Sequence, residues 1–406
     1  MTTVLKMSEQ FLKTIAENNV IILNVMEAFQ QGAEMLASTL VDLTPFFKVA
    51  GPFVKLALEH LGKDEAISIK KQFQKVCERL DVASEENKLI NSVIKQSAMK
   101  MYLFPVEENI TNLFRKYMDI LNIDNPRDIM INLFMQHYDT TGGEKNLHSL
   151  YNAVIRSSGE SVLEIMRDSV KKSRRAMEEF CAKLKNLFCM GIIVVMGYTA
   201  LKGYDETEKL QYWKLNMEKV QLKMNTVIED CITSFPEQAK EDVHSWFNKY
   251  STTASSENIG KDLAEQDLAD VILKELGKKY DWVRWSVRIF ISPSSFFCKK
   301  EFQFIEGKSY FKEQAADMNI MVSYSDSPTP LNKAQIQKLI QEQKKIRITN
   351  TTKFIFNQLE TCVVHIFQTK NLGHACNFHE DQLYLEEHNK NTFVCVHSNG
   401  GSQDNS

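Results

Sequence analysis

The sequence is poor in the two residues that interrupt regular structure, with 15 glycines and 8 prolines in 406 residues, roughly half the usual shares of ~7% and ~5%. Turn signals are therefore scarce. A mostly β chain, which needs one every 8–12 residues or so, is excluded in favour of long helices. An excess of charge of one sign is also missing. Lys+Arg 49 against Asp+Glu 52 leave a formal charge of −3, and neither the first 250 residues nor the remainder is basic. The phosphate-neutralising stripe of a nucleic-acid binder is absent. The densest basic run, Lys171, Lys172, Arg174 and Arg175, is followed by Glu178 and Glu179 and reads as a solvated helix face. Eight cysteines, spread from Cys77 to Cys395, lack the clustering of a disulfide scaffold and read as thiols. Met1 to Gln10 lacks a basic segment followed by an apolar one, so no cleaved signal is expected and the protein is expected to be cytoplasmic or membrane-associated.

The sequence-visible enzyme motifs are missing as well. Gly307-Lys308-Ser309 resembles the end of a phosphate-binding loop, but Phe302 stands where that loop requires glycine. There is no glycine-rich dinucleotide fingerprint, no Gly-x-Ser-x-Gly elbow and no His-Glu-x-x-His zinc helix. A non-enzymatic protein without a cofactor is the expectation. The one cluster of ligand-type residues is C-terminal: His365, His374, Cys376, His379, His388, Cys395 and His397. Within it His374, Cys376 and His379 are weak zinc candidates, because their spacing is not a standard zinc pattern. Ordinary surface or core histidines account for the set equally well.

What the chain has is apolar helix. Residues 1–250 read as a helical bundle with an apolar N-terminal hairpin. Pro45 and Pro52 bend the chain near Gly51, and Phe46, Phe47, Phe53 and Val54 form an apolar tip around the bend. A 4, 3, 4, 3 stripe of Ile69, Phe73, Val76, Leu80 and Ala83 is coiled-coil-like, and this helical pattern runs on to about Pro105. Asn125-Pro126 opens a further helix that stops before a loop at Thr140-Thr141-Gly142-Gly143, and Ser234 opens another. Asn186 to Leu201 is sixteen residues without a formal charge, about 24 Å as a helix and short of the ~30 Å hydrocarbon layer. A core helix of a water-soluble bundle is the favoured reading. Insertion into a membrane, with Ile192, Ile193, Val194 and Val195 in contact with lipid, is the alternative.

The Ser/Thr-rich stretch 251–260 reads as a linker, residues 261–397 as a helix ended by Gly277 plus an α+β module, and 398–406 as a disordered tail. In the module the hydrophobic period changes to two. Val283, Trp285, Val287, Ile289 and Ile291 share one face, with Arg284, Ser286 and Arg288 on the other, the pattern of a half-buried strand. Further strands are expected at 301–305, 319–325, 361–368, 382–387 and 391–397, separated by two short helices. The fold class expected is mainly α: a long-helix bundle followed by a smaller α+β module with an antiparallel or mixed sheet.

Several strings carry a resemblance. Phe114 to Leu121, Gly142 to Val154, Phe180 to Cys189, Ser234 to Lys240 and Lys279 to Phe290 closely resemble the rapunzel proteins of bony fishes, in the same order. More distantly, the helical half resembles the front part of cephalotoxin-type proteins of cephalopod salivary glands. The resemblance implies an association with fin and skeletal development and transfers no catalytic residue. Together these readings point to an interaction or regulatory protein whose partners are another protein and, as a further candidate, a lipid membrane, with oligomeric state open. Burial or release of 43–61 and 186–201 is the expected mechanism. The rival expectation is a membrane-permeabilising protein in which those elements form a pore.

Overall fold

The computed structural model describes residues 85–120, 127–156, 159–205, 207–256, 265–291, 303–315, 318–342, 348–359, 362–368, 372–378, 383–389 and 392–398. The N-terminal hairpin, with Phe46, Phe47, Phe53 and Val54, and the stripe from Ile69 to Ala83 lie outside the described residues. The chain divides into two compact units, 1–233 and 234–406.

The first unit is built of α1 (Glu85–Gln96), α2 (Lys100–Ile120), α3 (Arg127–Thr141), α4 (Gly143–Ile155), α5 (Val162–Ser169), α6 (Arg174–Leu201) and α7 (Thr207–Thr233). The break after α1 falls at Ser97, not at Pro105, which sits in the second turn of α2. Proline removes one backbone bond there, and the burial of Leu103, Val106 and Ile110 on one face of α2 holds the helix through it. The expected loop at 140–143 is a single residue. Gly142 takes a left-handed conformation (φ 66°), and α4 starts directly after it. Between α5 and α6, Lys171 and Lys172 are both left-handed (φ 50° and 53°). Half of the basic run thus lies in a strained turn, and the helix face begins only at Arg174.

The second unit contains α8 (Phe235–Ser256), α9 (Glu265–Lys279), β1 (Arg284–Ile291), β2 (Gln303–Glu306), β3 (Tyr310–Ala315), β4 (Met318–Ser325), α10 (Lys333–Glu342), α11 (Ile348–Asn357), β5 (Cys362–Gln368), β6 (Gly373–Cys376), β7 (Tyr384–Asn389) and β8 (Thr392–Ser398). Two four-stranded antiparallel sheets form, in the orders β3-β4-β1-β6 and β2-β5-β8-β7. Helix α8 belongs here and not to the bundle, because Phe235, Ala239, Val243 and Phe247 pack with α9 against β1 and β4. It also runs through Ser256, into the expected linker, and α9 continues past Gly277 to Lys279.

Alternation along the strands sets the layers. Trp285, Val287 and Ile289 of β1 face α8 and α9; Val364 and Ile366 of β5, with Val394 and Val396 of β8, face α10 and α11. The opposite faces of the two sheets meet each other, through a cluster of Phe290, Ile305, Met321 and Val363 and a stack of Phe290 on Phe367 at 5.9 Å. The order is helices, sheet, sheet, helices. Strand β1, read as half-buried, is covered on both faces, and Ser286 and Arg288 are 0% exposed.

Candidate functional site

Two places combine unusual chemistry with defined geometry. The first is α6, which packs against α1, α2, α3, α4, α5 and α7. Ile192, Ile193, Val194 and Val195 are all buried inside the bundle, as are Phe180, Phe188 and Met196. Among the described residues α6 is the one helix long and apolar enough to cross a membrane. Its neighbours approach at two glycines. A Cβ on Gly191 would lie 2.6 Å from Leu147 of α4, and one on Gly197 would lie 2.5 Å from the ring of Tyr117 on α2. Removing those side chains lets the helices close on each other, at the cost of helix propensity.

Charged groups are kept to the rim of this core. Lys183 of α6 reaches Glu107 of α2 at 2.9 Å and Asn91 of α1 at 3.0 Å. The Tyr198 hydroxyl donates to Asp139 at 2.5 Å while its ring stacks on Tyr138 at 3.8 Å, tying the end of α6 to α3. Helix α7 is strapped on by Lys209 to Glu144 and Lys223 to Glu164, both at 2.5 Å, and by Arg167 to Asp230 at 3.0 Å. Glu164 also closes the N-terminal capping box of α5 with Ser161. The Lys223 ammonium and that cap hold its carboxyl down to about 2. Glu179 and Lys185 of α6, each 4% exposed, are exceptions to the rim rule. Lys185 is buried one turn from both Cys181 and Cys189, so the sixteen-residue uncharged run continues N-terminally into a stretch that carries a buried amine.

The second place is the layer between the two sheets. Of the ligand-type residues singled out in the sequence, His365, His374, Cys376, Cys395 and His397 all fall on inner strand faces by register. His379 lies outside the described residues. The zinc spacing does not assemble a common centre around His374. Its Nδ1 is 3.1 Å from a Glu386 carboxylate oxygen, and its Nε2 is 3.4 Å from the Ser286 hydroxyl. Among the described residues no three His, Cys, Asp or Glu side chains converge as a metal would require.

His365 and His397, each 1% exposed, are more unusual. Neither ring nitrogen of His365 has a hydrogen-bond partner among the described residues, nor do His397 Nε2, Ser323 Oγ or Ser325 Oγ. Each such atom costs about 1–3 kcal/mol in desolvation. Burial, reinforced by Arg288, Lys312 and His397, holds His365 well below the usual imidazole range. Burial and Arg288 lower His397 to about 3, partly opposed by its hydrogen bond to the Ser398 carbonyl at 2.9 Å. Sequence reading missed this layer because it assigned the polar faces of β1, β5 and β8 to solvent. The signal available was only that β1 and β5 face helices on the other side.

Comparison with known proteins places the helical part. Residues 60–253 match the cephalotoxin-like middle helical domain family. The chain is 28% identical over 204 residues to Protein rapunzel of Danio rerio, an alignment covering 48% of this chain and 88% of rapunzel. No solved structure matches. The chain is therefore distantly similar to rapunzel, and its residues 60–253 resemble the cephalotoxin-like middle helical domain.

Proposed function

We propose that this is a non-enzymatic interaction or regulatory protein whose bundle keeps α6 from water until a membrane surface competes for it. The observation that carries the reading is α6 itself: an uncharged run of membrane-like composition, buried on every side and fastened at its rim by a few ion pairs and one tyrosine–carboxylate bond. These pairs are half-buried, and exposed pairs contribute only about 0–1 kcal/mol each, so the rim can be undone while the core supplies most of the barrier. Membrane engagement would expose the apolar face of α6 and bring it to lipid with the apolar sequence of 43–61, in the manner of an order change biased by a lipid surface. The relationship to rapunzel supports a role in fin and skeletal development.

A second reading, permeabilisation, is favoured by the cephalotoxin-like match. The two separate on vesicles of phosphatidylcholine and phosphatidylserine loaded with a self-quenched dye. The regulatory reading expects the full chain to co-sediment with the vesicles while the dye stays inside. Leakage at nanomolar protein would replace it with the pore reading, and absence of co-sedimentation would remove the membrane from both.

A further inference from the structure

Helix α7 has an outward face that the proposed function does not use. Its inner face, Trp213, Met217, Val220, Met224 and Val227, is buried where α7 packs on α4, α5 and α6. At ~100° per residue, Leu215 and Leu222 point almost directly away from that inner face, one heptad and so about two turns apart. They are 49% and 68% exposed. A lone exposed leucine is ordinary, but two in the same helical phase make an apolar stripe.

The charges beside the stripe have a set pattern. Glu218 and Lys219 lie midway between the two leucines, about 50° to either side of the line that joins them. Both are exposed, and among the described residues neither has a salt bridge, although Lys209 and Lys223 of the same helix do. One heptad beyond each leucine, near the same line, stand the exposed Glu208 and Glu229, which end the apolar stretch.

This face is complementary to itself in one orientation. A two-fold axis parallel to α7 sets Leu215 and Leu222 against the same leucines of a second copy and carries each side of the stripe to the other. Glu218 of each copy then faces Lys219 of the other. An axis perpendicular to the helix keeps the sides, so Glu218 would face Glu218 and Lys219 would face Lys219, and like charges reject that arrangement. In the parallel pair Glu208 and Glu229 meet their own counterparts, so the helices part at both ends and the contact is confined to the turns around the two leucines.

We propose that α7 is a self-association surface, on which two copies of the chain pair through parallel α7 helices, with Leu215 and Leu222 at the centre and a Glu218–Lys219 pair on each flank. A contact of a few turns is smaller than the ~800 Å² per partner of a standard interface, so the dimer is a weak one, with dissociation on the order of 10 µM or above.

The test is sedimentation velocity of the full chain in lipid-free buffer at low ionic strength, from about 1 to 200 µM to bracket that value. The sedimentation coefficient should rise with concentration from monomer towards dimer. Leu222→Glu should hold the chain monomeric throughout with its far-ultraviolet circular dichroism unchanged. Glu218→Lys and Lys219→Glu should each weaken the dimer about threefold or more, and the two combined should restore it, because the swapped pair is again self-complementary. A wild-type monomer at every concentration overturns the proposal and leaves the stripe to another segment of the chain or to a different protein. A dimer indifferent to Leu222→Glu overturns it as well, and so does one that neither single charge reversal weakens.

Discussion

The two units handle buried polarity in opposite ways. The helical unit fills its interior with Leu, Ile, Val, Met and Phe from seven described helices and fastens charged groups around the edge. The C-terminal unit packs apolar side chains on the outer faces of two sheets, against helices, and encloses Arg288, His365, His397 and Ser323 between them beside Phe290, Met321, Val363 and Phe367. One stability therefore depends on volume filled, the other in part on which ionic state the interior can tolerate. The core of the first should respond strongly to cavities and weakly to mild acid; the second should do the reverse.

The largest expected effect is on the helical side. Phe188→Ala, at a fully buried position of α6, should cost about 3–5 kcal/mol, read as a lower urea midpoint for the bundle's transition. A cost under about 1 kcal/mol would show that α6 is not the packed centre.

Acid should bring out the other side of the contrast. His397 has a folded value near 3 against an ordinary 6.5, and His365 is shifted the same way. Between those values the unfolded chain takes up protons that the folded unit refuses. Stability from the neutral histidines is thus complete above pH 6.5 and lost as pH falls towards 3, by roughly 4–5 kcal/mol for His397 alone. Glu164 behaves differently, because its lowered value means that its contribution is held down to pH 4.5 and lost only below that. Urea titrations at pH 7.5 and 5.0 should move the C-terminal transition and leave the helical one nearly in place. Equal movement of both would erase the distinction.

Packing at glycine tests whether the C-terminal unit is also tight where it is apolar. A Cβ on Gly373 would fall 2.0 Å from the backbone oxygen of Glu265, which cannot give way as a side chain can. Gly373→Ala should cost about 1–3 kcal/mol by thermal melting. The smallest effect belongs to the rim of the bundle. Tyr198→Phe removes the hydroxyl bond to Asp139 and should cost about 0.5–1 kcal/mol. A loss of several kcal/mol there would make the rim, and not the core, the fastening of α6.

What could be read in the sequence follows the same division. Helices were legible because their apolar positions recur with one neighbour set: α6 announced itself by composition, and Ser234 marked the start of α8 by local chemistry. Pro105 misled because local propensity says nothing of the tertiary burial of Leu103 and Val106. In the second unit six strands were legible within two residues at each end, but β3 and β6 were not. Both are edge strands of one sheet, where one ladder face stays open and polar residues such as Lys312 and Glu313 are tolerated. The inter-sheet layer was hidden for a different reason. Alternation reports that Ser286 and Arg288 oppose Val287 and Ile289, but not whether water or a second sheet lies beyond them. His374, Cys376 and His379 drew attention by their spacing, while His365 and His397, two residues apart in register on adjacent strands, became neighbours only through β5–β8 pairing.

The claim on which the rest depends is that the apolar run of α6 is the protected centre of a bundle in water. Hydrogen–deuterium exchange of the full chain in lipid-free buffer addresses it directly. Amides of 186–201 should exchange slowest in residues 85–233, at rates set by unfolding of the whole bundle. Rapid exchange across 186–201, while α2 and α4 remain protected, would contradict it.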